Sequence, residues 1–142
     1  MADVIVTSGV NLQNEVSYGD GLTFITDEPV QLGGDGAGAD PYTLLLAALG
    51  SCISMTLTLY ARRKDWPLER VTVRLRQQRI HAQDCAGCET KSDGFVHRIE
   101  RSVQIEGAHL SPEQHARLQE IAHKCPVHKT LTSEIVIADL RE

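Results

Sequence analysis

Asp40-Pro41-Tyr42-Thr43-Leu44-Leu45-Leu46-Ala47-Ala48-Leu49-Gly50-Ser51-Cys52-Ile53-Ser54-Met55-Thr56-Leu57-Thr58-Leu59-Tyr60-Ala61-Arg62-Arg63-Lys64 is the stretch that decides the fold. Asp40 is a good N-cap. Pro41 fits the first helical position, where its missing N–H costs nothing. Arg62, Arg63 and Lys64 suit a helix C-terminus. Between these ends no charge occurs and apolar residues fall on nearly every side, so the expectation is a helix buried all round. A membrane span wants about 20 predominantly apolar residues. Here Gly50, Ser51, Ser54, Thr56 and Thr58 interrupt the run, which favours a buried helix of a globular domain. One small chain struggles to cover such a helix, so the expected cover is its own sheet on one face and a second copy on another.

A chain of 142 residues suits a single domain, 1–142, with a sizeable core. Its formal charge of −5 and its few aromatic residues argue against nucleic acid as a partner. The start, Met1 to Val6, lacks a basic segment followed by an apolar run, so the expected location is the cytoplasm, without membrane attachment. Four cysteines there are expected to be mainly reduced, and reactive or metal-binding rather than structural disulfides.

Upstream, Val4–Val6, Glu15–Tyr18 and Leu22–Thr26 read as strands, the last two joined by a tight turn at Gly19-Asp20-Gly21. Gly33-Gly34-Asp35-Gly36-Ala37-Gly38-Ala39 invites a phosphate-loop reading. It has neither the Gly-Lys-Ser/Thr ending nor dinucleotide spacing, so it reads as a flexible entry to the helix. Downstream, Val71, Val73 and Leu75 alternate with Arg70, Thr72, Arg74 and Arg76. Ile99, Val103 and Ile105 alternate with Arg98, Glu100, Ser102, Gln104 and Glu106. These strands predict a long antiparallel hairpin with its tip from His81 to Gly94. Ser111-Pro112-Glu113-Gln114 opens a second helix as a capping box. Its stripe of Leu118, Ile121, Ala122 and Cys125 puts Cys125 on a buried face, and Pro126 bends the chain there. Ile135–Ala138 reads as a final strand. The order predicts an α+β fold, mostly antiparallel.

Leu44–Cys52, followed by Thr56-Leu57 and Tyr60-Ala61, resembles the first cysteine motif of the OsmC/Ohr family. Cys125-Pro126-Val127-His128-Lys129-Thr130-Leu131 resembles its second. Asp27-Glu28-Pro29-Val30, Trp66-Pro67-Leu68-Glu69 and His81-Ala82-Gln83-Asp84-Cys85 are similar to the branch whose OsmC domains are sometimes fused to α/β hydrolases. The resemblance implies an intertwined homodimer, with antiparallel sheets wrapped around two central helices. It implies reduction of hydroperoxides, with Cys52 as the peroxidatic thiol, Cys125 as the resolving one and an external dithiol as reductant. No cofactor is implied. The family's peroxidases also carry a glutamate in the turn that opens the central helix and an arginine from the N-terminal strands. This chain has Thr43 near the glutamate position and no arginine before Arg62. His128, Lys129 and His123, beside Cys125, are the candidate sources of positive charge. For either cysteine alone, simple burial is the competing reading. A second reading of the whole chain is a non-catalytic protein of the same fold that holds a small ligand near Gly50-Ser51-Cys52, or zinc.

Cys85-Ala86-Gly87-Cys88 sits in the expected hairpin tip between His81 and His97. Two cysteines and two histidines could complete a tetrahedral zinc shell. The spacing is that of no standard finger, and no βαβ context supports a redox motif. Zinc, redox chemistry and a plain surface loop all stay open for this pair.

Overall fold

The structure is a computed structural model that describes residues 3–88 and 94–141. The chain forms two compact units, residues 1–47 and 48–142. The helix foreseen from the central stretch, α1, spans Pro41–Lys64 and crosses from the first unit into the second.

In the first unit, β1 (Val4–Ser8), β2 (Asn14–Tyr18) and β3 (Leu22–Thr26) form an antiparallel sheet in chain order. Val16 is the buried residue at its centre. The glycine-rich segment is not a loose entry to α1. It folds over the carboxylate of Asp27, which is 2% exposed. Asp27 accepts backbone N–H groups from Glu28 at 2.8 Å, Asp35 at 3.1 Å and Ala37 at 3.0 Å. The bond from Ala37 is the largest influence on this carboxyl; with those from Glu28 and Asp35 it holds the pKa below the usual range, against the effect of burial. The glycines are there for close approach. A Cβ on Gly34 would fall on the Glu28 carbonyl, and one on Gly38 on the Ile25 carbonyl. Asp40 then caps α1, accepting the Thr43 N–H at 3.0 Å.

In the second unit, β4 (Arg70–His81) and β5 (Phe95–Glu106) form the long hairpin, paired from Arg70↔Glu106 to His81↔Phe95. The tip residues 89–93 of the expected hairpin lie outside the described residues. Val71, Val73, Leu75, Ile99 and Val103 turn inward, as the alternation predicts, and pack with Ile105 against the core. That core is Leu49, Ile53, Leu57 and Ala61 of α1 with Leu118, Ile121, Ala122 and Cys125. α2 (Pro112–Ile121) carries the foreseen capping box: Ser111 Oγ accepts the Gln114 N–H, and Gln114 Oε1 accepts the Ser111 N–H. Gln119 Nε2 donates to the Val103 carbonyl at 3.2 Å, and the His115 ring lies 3.3 Å from the Ile105 carbonyl. The outer edge of β5 is thereby covered rather than left open to pairing.

Within one chain α1 is buried on one face only, in keeping with the expectation that its own sheet covers just part of it. Its buried stripe is Leu49, Gly50, Ile53, Leu57 and Ala61, whereas Met55 is 63% and Leu59 54% exposed. It is long and apolar enough to cross a membrane by length and composition alone, a test that a core helix also passes. The expected final strand is absent. Ile135, Val136 and Ile137 are 57, 82 and 94% exposed and pair with no strand among the described residues. A strand exists only through its ladder, and this segment has none among the described residues.

Candidate functional site

The site is assembled from the middle of α1 and the break after α2. Gly50 lets β4 approach α1, because a Cβ there would meet the Leu75 side chain at 2.7 Å. Cys52 follows on the same helix and is half-buried. On the other side, α2 tightens into a single 3-10 turn, Ala122–Lys124. Pro126 forbids helical continuation, so Cys125 takes an extended conformation (φ −63°, ψ 132°) and becomes the N-cap of a further short helix, α3 (Pro126–Leu131). Cys125 is fully buried. α3 went unforeseen, although Pro126 at its first position is a start signal as well as a stop signal.

The two thiols meet. The Cys125 side chain is hydrogen-bonded to the Cys52 sulfur, and Val127 N–H points at the same sulfur from 3.5 Å. His128 N–H points at the Cys125 sulfur, also from 3.5 Å. Their environments drive the two pKa values apart. Burial raises that of Cys52, but this is outweighed by hydrogen bonds from Cys125, from the Val127 backbone and from Thr56, and the net direction is down. Burial raises Cys125, and its bond to Cys52 raises it further, against the opposing His128 N–H. The arrangement is one half-exposed sulfur disposed to be thiolate, with one enclosed sulfur holding the proton between them.

Cations stand beside this pair rather than on it. Arg101 shares the core-facing parity of Ile99, Val103 and Ile105. Its guanidinium donates to the Ala122 carbonyl at 2.8 Å and to His123 Nδ1 at 2.7 Å. No motif marks Arg101, yet a charge at an apolar position of an alternating strand is a visible signal in the sequence. His128 is pushed toward its neutral form, first by burial, then by Arg101 and His123. It therefore does not supply the positive charge that its place in the sequence suggests. A cleft of ≈ 220 Å³ is lined by Leu49, Ile99 and Leu131 together with His97, Arg101, His128 and Thr132. Leu49 lies one turn before Cys52, and His128 one turn after Cys125. A larger hollow of ≈ 500 Å³ lies on the polar outer face of the hairpin, away from the thiols.

The first turn of α1 holds no acidic side chain, in keeping with Thr43 at that place. The other two cysteines do not join this site. Cys85 and Cys88 are bonded to each other, which corrects the expectation that the cysteines are mainly unpaired. With its sulfur in that bond neither can act as a zinc ligand. The proposed fellow ligands are engaged nearby: the His81 ring stacks 4.3 Å from that of Phe95, and His97 Nδ1 lies 3.0 Å from Gln77 Nε2. Among the described residues no group of three or more His, Cys, Asp or Glu side chains is placed to hold a metal ion.

Comparison with curated protein sequences gives no match. Solved structures do match in fold. An OsmC like protein from Mycoplasma pneumoniae superposes with a TM-score of 0.68 at 18% identity, over 92% of this chain and 86% of that one. An organic hydroperoxide resistance protein OsmC from Legionella pneumophila gives 0.64 at 22% identity, over 93% and 89%. The organic hydroperoxide resistance protein OhrB of Bacillus subtilis gives 0.59 at 20% identity, over 93% and 90%. The α+β architecture with antiparallel sheets is thus the one these proteins share. The family model described as OsmC-like protein matches residues 34–138, a span that contains both free thiols and the hairpin between them, and the chain belongs to that family.

Proposed function

We propose that this protein reduces hydroperoxides through Cys52 and Cys125, with an external dithiol as the reductant. The observation that carries the reading is the divided pair: a half-exposed thiol whose pKa is lowered by a buried thiol whose own pKa is raised. The Cys52 thiolate attacks the distal oxygen of the hydroperoxide. The O–O bond breaks, and the alkoxide leaves as an alcohol after taking a proton from solvent. Cys52 is then a sulfenic acid. Cys125 attacks that sulfur, hydroxide leaves as water, and a disulfide forms before further oxidation can occur. The dithiol restores both thiols by two exchange steps and is itself oxidised to a disulfide. The cleft that Leu49 and His128 line, each one helical turn from a thiol in sequence, offers apolar walls from Leu49, Ile99 and Leu131, which suit the organic part of such a substrate. The names of the similar structures point to the same chemistry.

The donors that lower the Cys52 pKa, Cys125, the Val127 backbone and Thr56, are neutral. Without the family's glutamate and arginine, the reaction is expected to be slow beside that of members with the full site. After stoichiometric treatment with an organic hydroperoxide, peptide mapping should recover a Cys52–Cys125 disulfide. Oxidation of neither thiol, with Cys125 left free at excess peroxide, would sink the proposal.

A second copy of the chain is the proposed cover for the exposed apolar stripe of α1, at Met55 and Leu59, and for the exposed Ile135–Ile137 segment. Sedimentation at micromolar concentration should give twice the chain mass. A folded monomer under those conditions refutes the dimer. The expected location remains the cytoplasm, where reducing conditions keep the pair ready to react.

A further inference from the structure

The hairpin tip holds a second pair of cysteines for which the peroxide chemistry has no use. Cys85 and Cys88 are three residues apart and disulfide-bonded, with their Cα atoms 5.6 Å from each other. The fold does not depend on this bond for the turn. β4 and β5 pair residue by residue out to His81 and Phe95. One step further, the Ala82 N–H donates to the Gly94 carbonyl at 2.9 Å, and the Ala82 side chain is buried. A bridge that closes so short a loop also constrains the unfolded chain much less than one that closes a long loop. A structural staple is therefore a weak account of it.

The surroundings suit exchange instead. Both cysteines are only partly buried, and among the described residues nothing lies within 4 Å of where a Cβ on Gly87 would stand. Arg79 and His81 share one parity at the end of β4 and meet the Phe95 ring. The guanidinium carbon of Arg79 lies 4.5 Å from the ring centre and the His81 ring 4.3 Å from it. Phe95 is nevertheless 53% exposed. Beside the bridge, the end of the hairpin thus presents an exposed aromatic ring on which a partner can rest. Leu75 sits level with Gly50 on α1, and His81 lies six residues further along β4, about 20 Å at the usual strand rise. The tip pair is accordingly remote from Cys52 and Cys125.

We propose that Cys85–Cys88 is a second thiol–disulfide exchange site, which takes two electrons from an external dithiol. A thiolate of that dithiol attacks one sulfur of the bridge. The Cys85–Cys88 bond breaks, a mixed disulfide forms, and the released cysteine leaves as thiolate and takes a proton from solvent. The second thiol of the donor attacks the mixed disulfide. The donor departs as a disulfide, and Cys85 and Cys88 are left as two thiols.

The test uses the native full chain in buffers of graded reduced and oxidised dithiothreitol. Samples are acid-quenched and alkylated, and the peptide with both cysteines is read by mass. The expected result is reversible opening while circular dichroism stays that of the folded protein. In Cys88→Ser, oxidised glutathione should add one glutathione to Cys85. Three results overturn the proposal. The first is a bridge that opens only when the chain unfolds. The second is a Cys85→Ser/Cys88→Ser variant that fails to fold or melts far below the parent, which marks a staple. The third is purified protein in which both thiols are reduced and hold a metal ion.

Discussion

The two cysteine pairs of this chain are opposites in how they are held. Cys52 and Cys125 come from elements far apart in sequence, and they meet because α1 and the α2–α3 break are pressed into one core with Leu118 and Ile121. Cys85 and Cys88 meet because they are neighbours in a turn at the end of a ladder. The first pair is free and asymmetric, with one sulfur fully enclosed and the other half open. The second is closed, and both of its cysteines are partly buried. Burial makes the difference. An enclosed thiol resists ionisation, so it keeps its proton and lends it to its neighbour, and two chemically equal groups become donor and nucleophile. A turn at the surface cannot impose that inequality.

If the first pair depends on the core and the second does not, loosening the core should separate them. Leu118 is fully buried in the cluster that contains Cys125. Leu118→Ala is expected to lower stability by about 2–5 kcal/mol, measured by urea unfolding. In the variant that remains folded, Cys52–Cys125 disulfide formation should slow, while the state of Cys85–Cys88 stays as in the parent. Equal disturbance of both pairs would erase the contrast.

A smaller effect is expected from the hydrogen bond itself. Thiolate fraction rises as pH passes upward through the pKa, so a lowered pKa moves the rise in reactivity to lower pH. Burial works against the Cys52 thiolate, and the Cys125 thiol is the first of the groups that outweigh it. Cys125→Ala removes that donor. The pH profile of Cys52 alkylation should move to higher pH, with alkylation at pH 7 several-fold slower. Cys125→Ser keeps an O–H donor and should leave the profile nearer the parent. An unshifted profile in Cys125→Ala would show that Val127 N–H and Thr56 suffice.

Much of this was legible in the residues. The span of α1, the inward faces of β4 and β5, the capping box at Ser111 and the bend before Pro126 each follow from a local signal: a cap, a period or a proline. Such signals act within a few residues, which is why the sequence alone determined these elements and the family. What tertiary structure decided was everything that depends on what lies opposite. Ile135–Ala138 has strand composition but no strand beside it, so it forms none within one chain. The glycine-rich segment reads as loose, yet the buried Asp27 carboxylate collects its N–H groups and orders it. Arg101 has an inward parity that is understood only once the Ala122 carbonyl and His123 are seen to receive it. The unequal thiols are the plainest case. The stripe of α2 places Cys125 on a buried face, but that Cys52 stays half open is set by the packing of distant segments, and solvation decides which of the two gives up its proton.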